Sequence, residues 1–172
     1  MIKRARRIVR RKRTLYVTLN IDPRRLMTAK ANPKIKYLDL TREVNRIIDR
    51  HGIKEGILNV QIKHTTAALS WLMVQENEMG LIEYDIPRFL GQLIPKGQPF
   101  MHDREERMLA LGENEPRNAV SHLFASVFPA SVTLNVHNYK LDCGTYQSLI
   151  LFDFDSEHHP GRQVSVVIER RM

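Results

Sequence analysis

The sequence contains one cysteine, and its apolar runs are all short. Cys143 has no second cysteine to pair with, which excludes a disulfide within the chain, and we expect it to be a small buried side chain near a turn. The longest apolar stretches, near SLILF and HLFASVF, fall well below the roughly 20 residues that a membrane-spanning helix needs. We therefore expect a cytoplasmic protein without a membrane contact.

Acidic residues are absent from the first 13 positions, which hold two Lys and six Arg. The remainder has 19 basic and 19 acidic residues, so the net charge of +8 belongs to the N-terminus alone. We interpret residues 1–13 as a basic arm and residues 14–172 as one domain. The arm is either a solvated extension, an assembly arm or a nucleic-acid contact, and the last alternative predicts binding that falls steeply with salt.

The hydrophobic period changes several times along the body of the chain. Residues 14–21 and 56–62 show strand patterns, and the second run is expected to continue through KHTTAALSWLMVQE as a hairpin or a long strand pair. Residues 40–50 show a helical period, with Asp39 or Thr41 as the cap. Three further strands, SVTLNV, TYQSLILFDF and QVSVVIER, end the chain. No strict alternation of strand and helix occurs, which favours an α+β single domain with a largely antiparallel mixed sheet and about three helices.

Two more helices complete that count. One begins near Asp85 with Pro87 in its first turn, or else is an earlier helix that Pro87 kinks. The other contains His122 and ends before Pro129. Residues 102–117 are charged and have no long apolar face, which predicts a surface excursion.

Three histidines lie where an apolar pattern meets polar neighbours: His64, His102 and His122. They are 38 and 20 residues apart, which is not zinc-finger spacing, and the chain has no HExxH motif. Local spacing therefore does not decide between a shared site and three structural side chains.

A family resemblance rests on a series of short motifs. HTTAAL, QEN, Asp85, MHD, SH and GTYQ, in this order, resemble the landmarks of the YjbQ-like family over roughly residues 14–169. That family is described as secondary thiamine-phosphate synthases. The resemblance implies a compact α+β subunit, a homotrimer, and a cleft of His and acidic residues near subunit contacts. One departure is Tyr84, where the family usually has His, so this chain lacks an imidazole at that position.

The resemblance also implies roles for individual residues. The implied catalytic residues are His64, Glu76, His102, Asp103 and His122. The implied substrate-binding residues are Thr65, Thr66, Asn77, Asp85, Thr145 and Gln147. Small Ala67 and Ala68 would leave room beside the hydroxyl groups. The nearby candidates for phosphate binding are Lys63, Lys96, Arg104, Arg107 and Arg117.

Two metals suit different parts of this set. The imidazoles of His64, His102 and His122 are ligands for Zn²⁺ or another divalent transition metal. Mg²⁺ prefers oxygen, so diphosphate chemistry would place it near Glu76, Asp85 and Asp103. The implied reaction joins an aminopyrimidine diphosphate to a thiazole phosphate and releases pyrophosphate. The alternatives are a non-catalytic metal- or anion-binding trimer and a nucleic-acid-associated protein that acts through the arm.

Overall fold

A computed structural model describes residues 13–73, 80–95, 97–112, 116–159 and 161–171. The strands are β1 (Thr14–Ile21), β2 (Met27–Thr28), β3 (Lys36–Asp39), β4 (Glu55–Ile62), β5 (Ala67–Met73), β6 (Ser131–His137), β7 (Lys140–Leu141), β8 (Gln147–Asp153) and β9 (Arg162–Arg170). The helices are α1 (Thr41–Arg50), α2 (Ile86–Leu93), α3 (Glu105–Leu111) and α4 (Ala119–Val127). The predicted α+β class is confirmed.

The strands form two antiparallel sheets. One has the order β1-β9-β4-β6-β7 and the other the order β2-β3-β8-β5. β4 and β5 belong to different sheets, so the predicted hairpin is wrong. Residues 63–66 instead form a crossing segment that carries the chain from one sheet to the other, and their polar character reflects this crossing.

Two hydrophobic cores lie on opposite faces of the second sheet. The first fills the space between the sheets and beneath α1, and the second lies beneath α2 and α4. β8 contributes Leu149 and Leu151 to the first core and Ile150 and Phe152 to the second. A strand covered on both faces needs a continuous apolar run, which explains the sequence LILF.

The start of β5, like β8, is covered by a hydrophobic core on each face. Ala67 lies in the first core and Ala68 in the second, 2% and 0% exposed. The expectation that they leave open space beside a pocket is therefore wrong. Cys143 is exposed in the turn before β8, contrary to its predicted burial.

The helices differ from the sequence expectations in two ways. α2 begins at Ile86 with Pro87 in its first turn, but a π-helical turn over Leu81–Asp85 already precedes it, and the Asp85 side chain makes no cap bond. The predicted excursion over residues 102–117 contains α3. α3 buries no residue, which is why its apolar period is absent.

The described part of the chain begins with a residue that joins the first sheet. Arg13 accepts a backbone hydrogen bond from Arg170 at 3.0 Å and so extends the first sheet, whereas residues 1–12 of the predicted arm lie outside the described residues.

None of the helices in the described ranges has the length and apolar character that crossing a bilayer requires.

Candidate functional site

His102 and His122 form a close pair of rings at the start of α4. Their ring centroids are 4.8 Å apart, with 46° between the planes. His122 lies on α4, and His102 lies on a 3-10 turn over Met101–Asp103. The structure thus brings together two of the three predicted imidazoles from positions 20 residues apart in sequence.

Asp103 fixes this arrangement. Its Oδ1 accepts a hydrogen bond from the backbone N–H of Ala119 at 3.0 Å, which joins the turn to the first residue of α4. The same oxygen lies 2.9 Å from His102 Nδ1. Because a carboxylate accepts, Nδ1 carries the proton and Nε2 is left to accept or deliver one. The predicted catalytic pair His102 and Asp103 is therefore in direct contact.

Two guanidinium groups bind the backbone of this turn. Arg107 donates to the His102 carbonyl at 3.0 Å, and Arg117 donates to the Asp103 carbonyl at 2.5 Å. Both had been candidates for phosphate binding. Their positive charge lies beside the imidazole pair, where it favours an anionic ligand.

His122 is held close to its neutral form. Burial lowers its pKa below the ordinary value of 6.5, and the positive charge of His102 acts in the same direction. A hydrogen bond with the Thr65 backbone and the charge of Asp155 oppose this shift. His122 is thus a neutral imidazole near pH 7, and the backbone contact joins it to the crossing segment that contains His64.

His64 has a separate set of partners. Its Nε2 accepts a hydrogen bond from the Gln163 backbone N–H at 3.0 Å, so Nδ1 carries the ring proton. Nδ1 lies 3.4 Å from Arg162 Nη1, so two hydrogen-bond donors face each other there. Burial, followed by the charge of Arg162, lowers the pKa of His64. In this arrangement His64 is a neutral structural contact between the crossing segment and β9.

Arg162 and Asp153 form a buried ion pair behind His64. Nη2 of Arg162 lies 2.5 Å from Asp153 Oδ1, and the two side chains are 1% and 0% exposed. The same Nη2 donates to Thr66 Oγ1 at 3.3 Å. The Thr66 hydroxyl, predicted to bind substrate, is therefore engaged by Arg162, and Thr66 itself is 3% exposed.

Sequence reasoning missed a second His-acid pair. Asp155 Oδ1 lies 2.6 Å from His158 Nδ1, and Asn118 Nδ2 donates to Asp155 Oδ2 at 2.7 Å. The segment FDFDSEHH indicates such a pair, because its acidic residues alternate with Phe at the end of an apolar run. Such acids are buried, and buried carboxylates require partners.

Several predicted residues lie at the other end of the β5-β8 ladder. Asp153 pairs with Ala67, whereas Gln147 pairs with Met73. At about 3.3 Å per residue, Gln147 is about 20 Å along β8 from Asp153. Thr145 and Gln147 are exposed, and Gln147 Oε1 accepts from the Gly144 backbone at 2.8 Å. Within one chain, Gln147 thus lies at the opposite end of β8 from Asp153.

Two other predicted residues, Asp85 and Lys63, lie apart from the pair or have other partners. Asp85 is exposed in its helical turn, and Lys63 donates to the Tyr16 hydroxyl at 2.8 Å. Glu76, Asn77 and Lys96 lie outside the described residues.

No three His, Cys, Asp or Glu side chains form a metal-holding group in the part of the chain that the structure describes. To act as a zinc ligand together with His102 and His122, His64 would have to release the Gln163 N–H or turn Nδ1 away from Arg162. The zinc and magnesium sites therefore stay predictions.

Comparisons with known proteins agree with this architecture. The family model described as "UPF0047 protein YjbQ-like" matches residues 25–170. A UPF0047 protein of Archaeoglobus fulgidus is 33% identical over 129 residues, covering 75% of this chain and 89% of the relative. The UPF0047 protein YjbQ of Escherichia coli O157:H7 is 26% identical, covering 73% of this chain and 82% of the relative.

Solved structures share the fold. A YbjQ-like protein of unknown function from Sulfolobus solfataricus P2 aligns with a TM-score of 0.69 and 24% identity, over 92% of this chain and 98% of that one. A hypothetical protein from Aeropyrum pernix K1 aligns with a TM-score of 0.69 and 22% identity, over 91% and 99%.

Proposed function

The chain belongs to the YjbQ-like UPF0047 family, and on that basis we propose that it is a small-molecule enzyme whose acid-base group is the His102–His122 pair. The observation that supports this proposal is the 4.8 Å approach of the two rings with Asp103 on Nδ1 of His102. Paired imidazoles of which one is oriented by a carboxylate are a common arrangement for proton transfer. A purely structural histidine pair does not require an oriented Nε2.

The two rings have different roles in this proposal. His122, whose pKa is lowered by burial, accepts a proton at neutral pH. His102, with Nδ1–H directed to Asp103, delivers a proton from Nε2 or stabilises charge that develops on the substrate. The contact with Asp103 distinguishes His102 from His122 and assigns the two rings different roles in this proposal.

We propose a phosphorylated substrate, and thiamine-phosphate synthesis as the reaction. The thiazole nitrogen forms a bond to the pyrimidine-methyl carbon while the bond from that carbon to the diphosphate oxygen breaks and pyrophosphate leaves. The charge of Arg107 and Arg117 beside the pair suits the departing diphosphate. In this proposal His102 protonates it. Mg²⁺ would be held by the diphosphate and by carboxylates such as Asp103.

The proposed assembly is a homotrimer with sites shared between subunits. Gln147 is about 20 Å along β8 from Asp153, and Thr145 lies in the turn before that end of the strand. A neighbouring subunit would have to supply that end of the ladder. In this proposal a site shared between subunits combines the imidazole pair of one subunit with Thr145 and Gln147 of a neighbour.

The test is a synthase assay on the purified full chain. Aminopyrimidine methyl diphosphate, thiazole phosphate and Mg²⁺ are supplied, and thiamine phosphate and pyrophosphate are both measured. We expect turnover in the wild type and a loss of at least a hundredfold in His122→Gln. The matched control is His137→Gln, because His137 also contacts a carboxylate, Glu55 at 3.2 Å, but lies exposed on β6.

The outcomes separate the enzyme from the alternatives. Equal turnover in wild type and His122→Gln would remove the pair from the mechanism. Binding of the diphosphate without turnover would favour a non-catalytic anion-binding trimer. Zinc analysis of wild type and His102→Gln tests the metal proposal separately, since bound zinc that is lost in the variant would place a ligand at His102.

A further inference from the structure

A pocket of about 640 Å³ lies beside the N-terminus of α4. Residues 32–35, the end of α2, the start of α4 and residues 154–158 form its walls. The apolar part of the lining is Ile35, Ile94, Val120, Phe124 and Phe154. Its size and two aromatic walls suit a small flat molecule.

The second His-acid pair lies in this pocket. Asp155 and His158 both line it, and their contact of 2.6 Å directs the Nδ1–H of His158 to the carboxylate. Nε2 is thereby the basic nitrogen of the ring. The Asp155 side chain is 4% exposed and His158 is 48% exposed, so a buried carboxylate holds an imidazole that a ligand can reach.

The position of Asp155 is itself fixed. Asn118 donates to its second oxygen at 2.7 Å, and Ser121 Oγ donates to the Phe154 carbonyl at 2.8 Å. Both bonds join the first turns of α4 to the segment that carries Asp155. The His158 ring is thus oriented by a rigid part of the fold.

Two cationic residues, Lys34 and Arg117, line the same pocket. Glu157 also lines it, and His159 Nε2 lies 3.9 Å from Asp155. A base together with cations suits a reaction that removes a proton and leaves negative charge on oxygen.

We propose that this pocket is a second site, in which His158 Nε2 accepts a proton from a flat, neutral small molecule and Lys34 stabilises the resulting oxyanion. The proposal goes beyond the synthase-like function. The site contains neither His102 nor His122, and its test needs no diphosphate substrate.

The probe is 5-nitrobenzisoxazole, a flat neutral ring. A base removes the proton from C3, the C–H electron pair forms the nitrile, and the N–O bond breaks to leave a coloured cyanonitrophenolate. The proton goes to His158 Nε2, so no further reactant is needed. Release of the phenolate is followed by absorbance in the wild-type full chain.

Two variants test the base and the pocket separately. His158→Gln should lower the rate at least tenfold, whereas His137→Gln, at an exposed histidine outside the pocket, should leave it unchanged. Gly91→Leu should abolish saturation, because Gly91 lines the pocket and a Cβ placed there meets nothing within 4 Å. The open space at Gly91 makes this filling variant compatible with folding.

A wild-type rate equal to that of His158→Gln would overturn the role of the base. Saturation that persists in Gly91→Leu would overturn the pocket. Since synthase turnover is not measured, failure here leaves the proposed function standing, and failure of the synthase assay leaves this inference standing.

Discussion

Arg162 and Asp153 are joined by a contact of 2.5 Å that is almost fully shielded from solvent. Asp153 ends β8 in one sheet and Arg162 begins β9 in the other, so this ion pair connects the two sheets. It also supports the crossing segment, because Arg162 Nη2 donates to the Thr66 hydroxyl. The position of the crossing segment therefore depends on a buried guanidinium group.

Removal of that guanidinium should destabilise the fold strongly. In Arg162→Met the buried carboxylate of Asp153 loses its countercharge, and we expect unfolding free energy to fall by about 3–5 kcal/mol. The measurement is urea denaturation at pH 7. The double variant with Asp153→Leu should recover part of the loss, since no unpaired charge remains. Arg24→Met, which breaks the exposed pair with Asp22, is the control and should leave the midpoint unchanged. A similar midpoint shift in Arg24→Met and Arg162→Met would contradict this interpretation.

Stability should fall as the pH is lowered below about 6.5. His64 and His122 both have folded-state pKa values below the ordinary 6.5, so the unfolded chain binds more protons between the two values. Their contribution is complete above 6.5 and is lost as the pH drops towards the folded pKa. Thermal unfolding from pH 5 to 8 measures this slope, and NMR titration of the two rings assigns it. If stability changes with pH equally in His122→Gln and in wild type, the His122 ring does not contribute to the pH dependence.

Asp103 should show separable effects on stability and turnover. The amide oxygen of Asp103→Asn can accept from both Ala119 N–H and His102 Nδ1–H, so the helix start is preserved while the charge is lost. We expect this variant to fold normally and to lose turnover in the synthase assay. Asp103→Ala also loses the bond to the α4 N-terminus and should unfold about 1 kcal/mol more easily. Equal turnover in wild type and Asp103→Asn would show that Asp103 serves only the fold.

The two neighbouring threonines should respond differently to the same change. Thr66→Val removes a hydroxyl that accepts from buried Arg162, and we expect a loss of about 1–2 kcal/mol. Thr65 contacts His122 through its backbone, so Thr65→Val should have little effect on stability. Parallel denaturation curves of the two variants provide the comparison. Equal losses would argue against the Arg162 bond as the cause.

A site shared between subunits predicts complementation. His122→Gln and Gln147→Ala should each lack synthase activity, and refolding a mixture of the two should restore part of it through trimers that hold one intact site. A mixture that stays inactive, while size-exclusion chromatography shows mixed trimers, would place both residues in one subunit's site or remove Gln147 from it.

The sequence predicted the elements whose patterns are local. β1 has the predicted bounds, and α4 contains His122 and ends before Pro129 as predicted, because alternation and the 3.6 period are visible within a short window. α3 was missed, since a helix that buries nothing has no apolar face to detect. The two-sheet arrangement was missed because strand pairing depends on the whole chain. From their residue types alone, residues 63–66 resemble the turn of a β-hairpin.

The candidate site was predicted in part. The family resemblance implied a common cleft for His102 and His122, whereas the contact between their rings depends on the bond from Asp103 to the start of α4. Asp155 and His158 were not identified, because their significance arises only when residues 154–158 pack against α4. His64 shows the converse, since a histidine implied to be catalytic has both ring nitrogens directed at neighbours in β9.

The order of the first sheet has a consequence for biosynthesis. β9 is the last strand along the chain, yet it lies between β1 and β4. During synthesis on the ribosome, Ile21 must wait for its partner Arg162, and the facing edges of β1 and β4 stay unpaired until then. Unpaired apolar edges are sites of aggregation. The nascent chain therefore depends on late closure of this sheet, and mutations that delay it should lower yield in the cell even where the finished fold is unaffected.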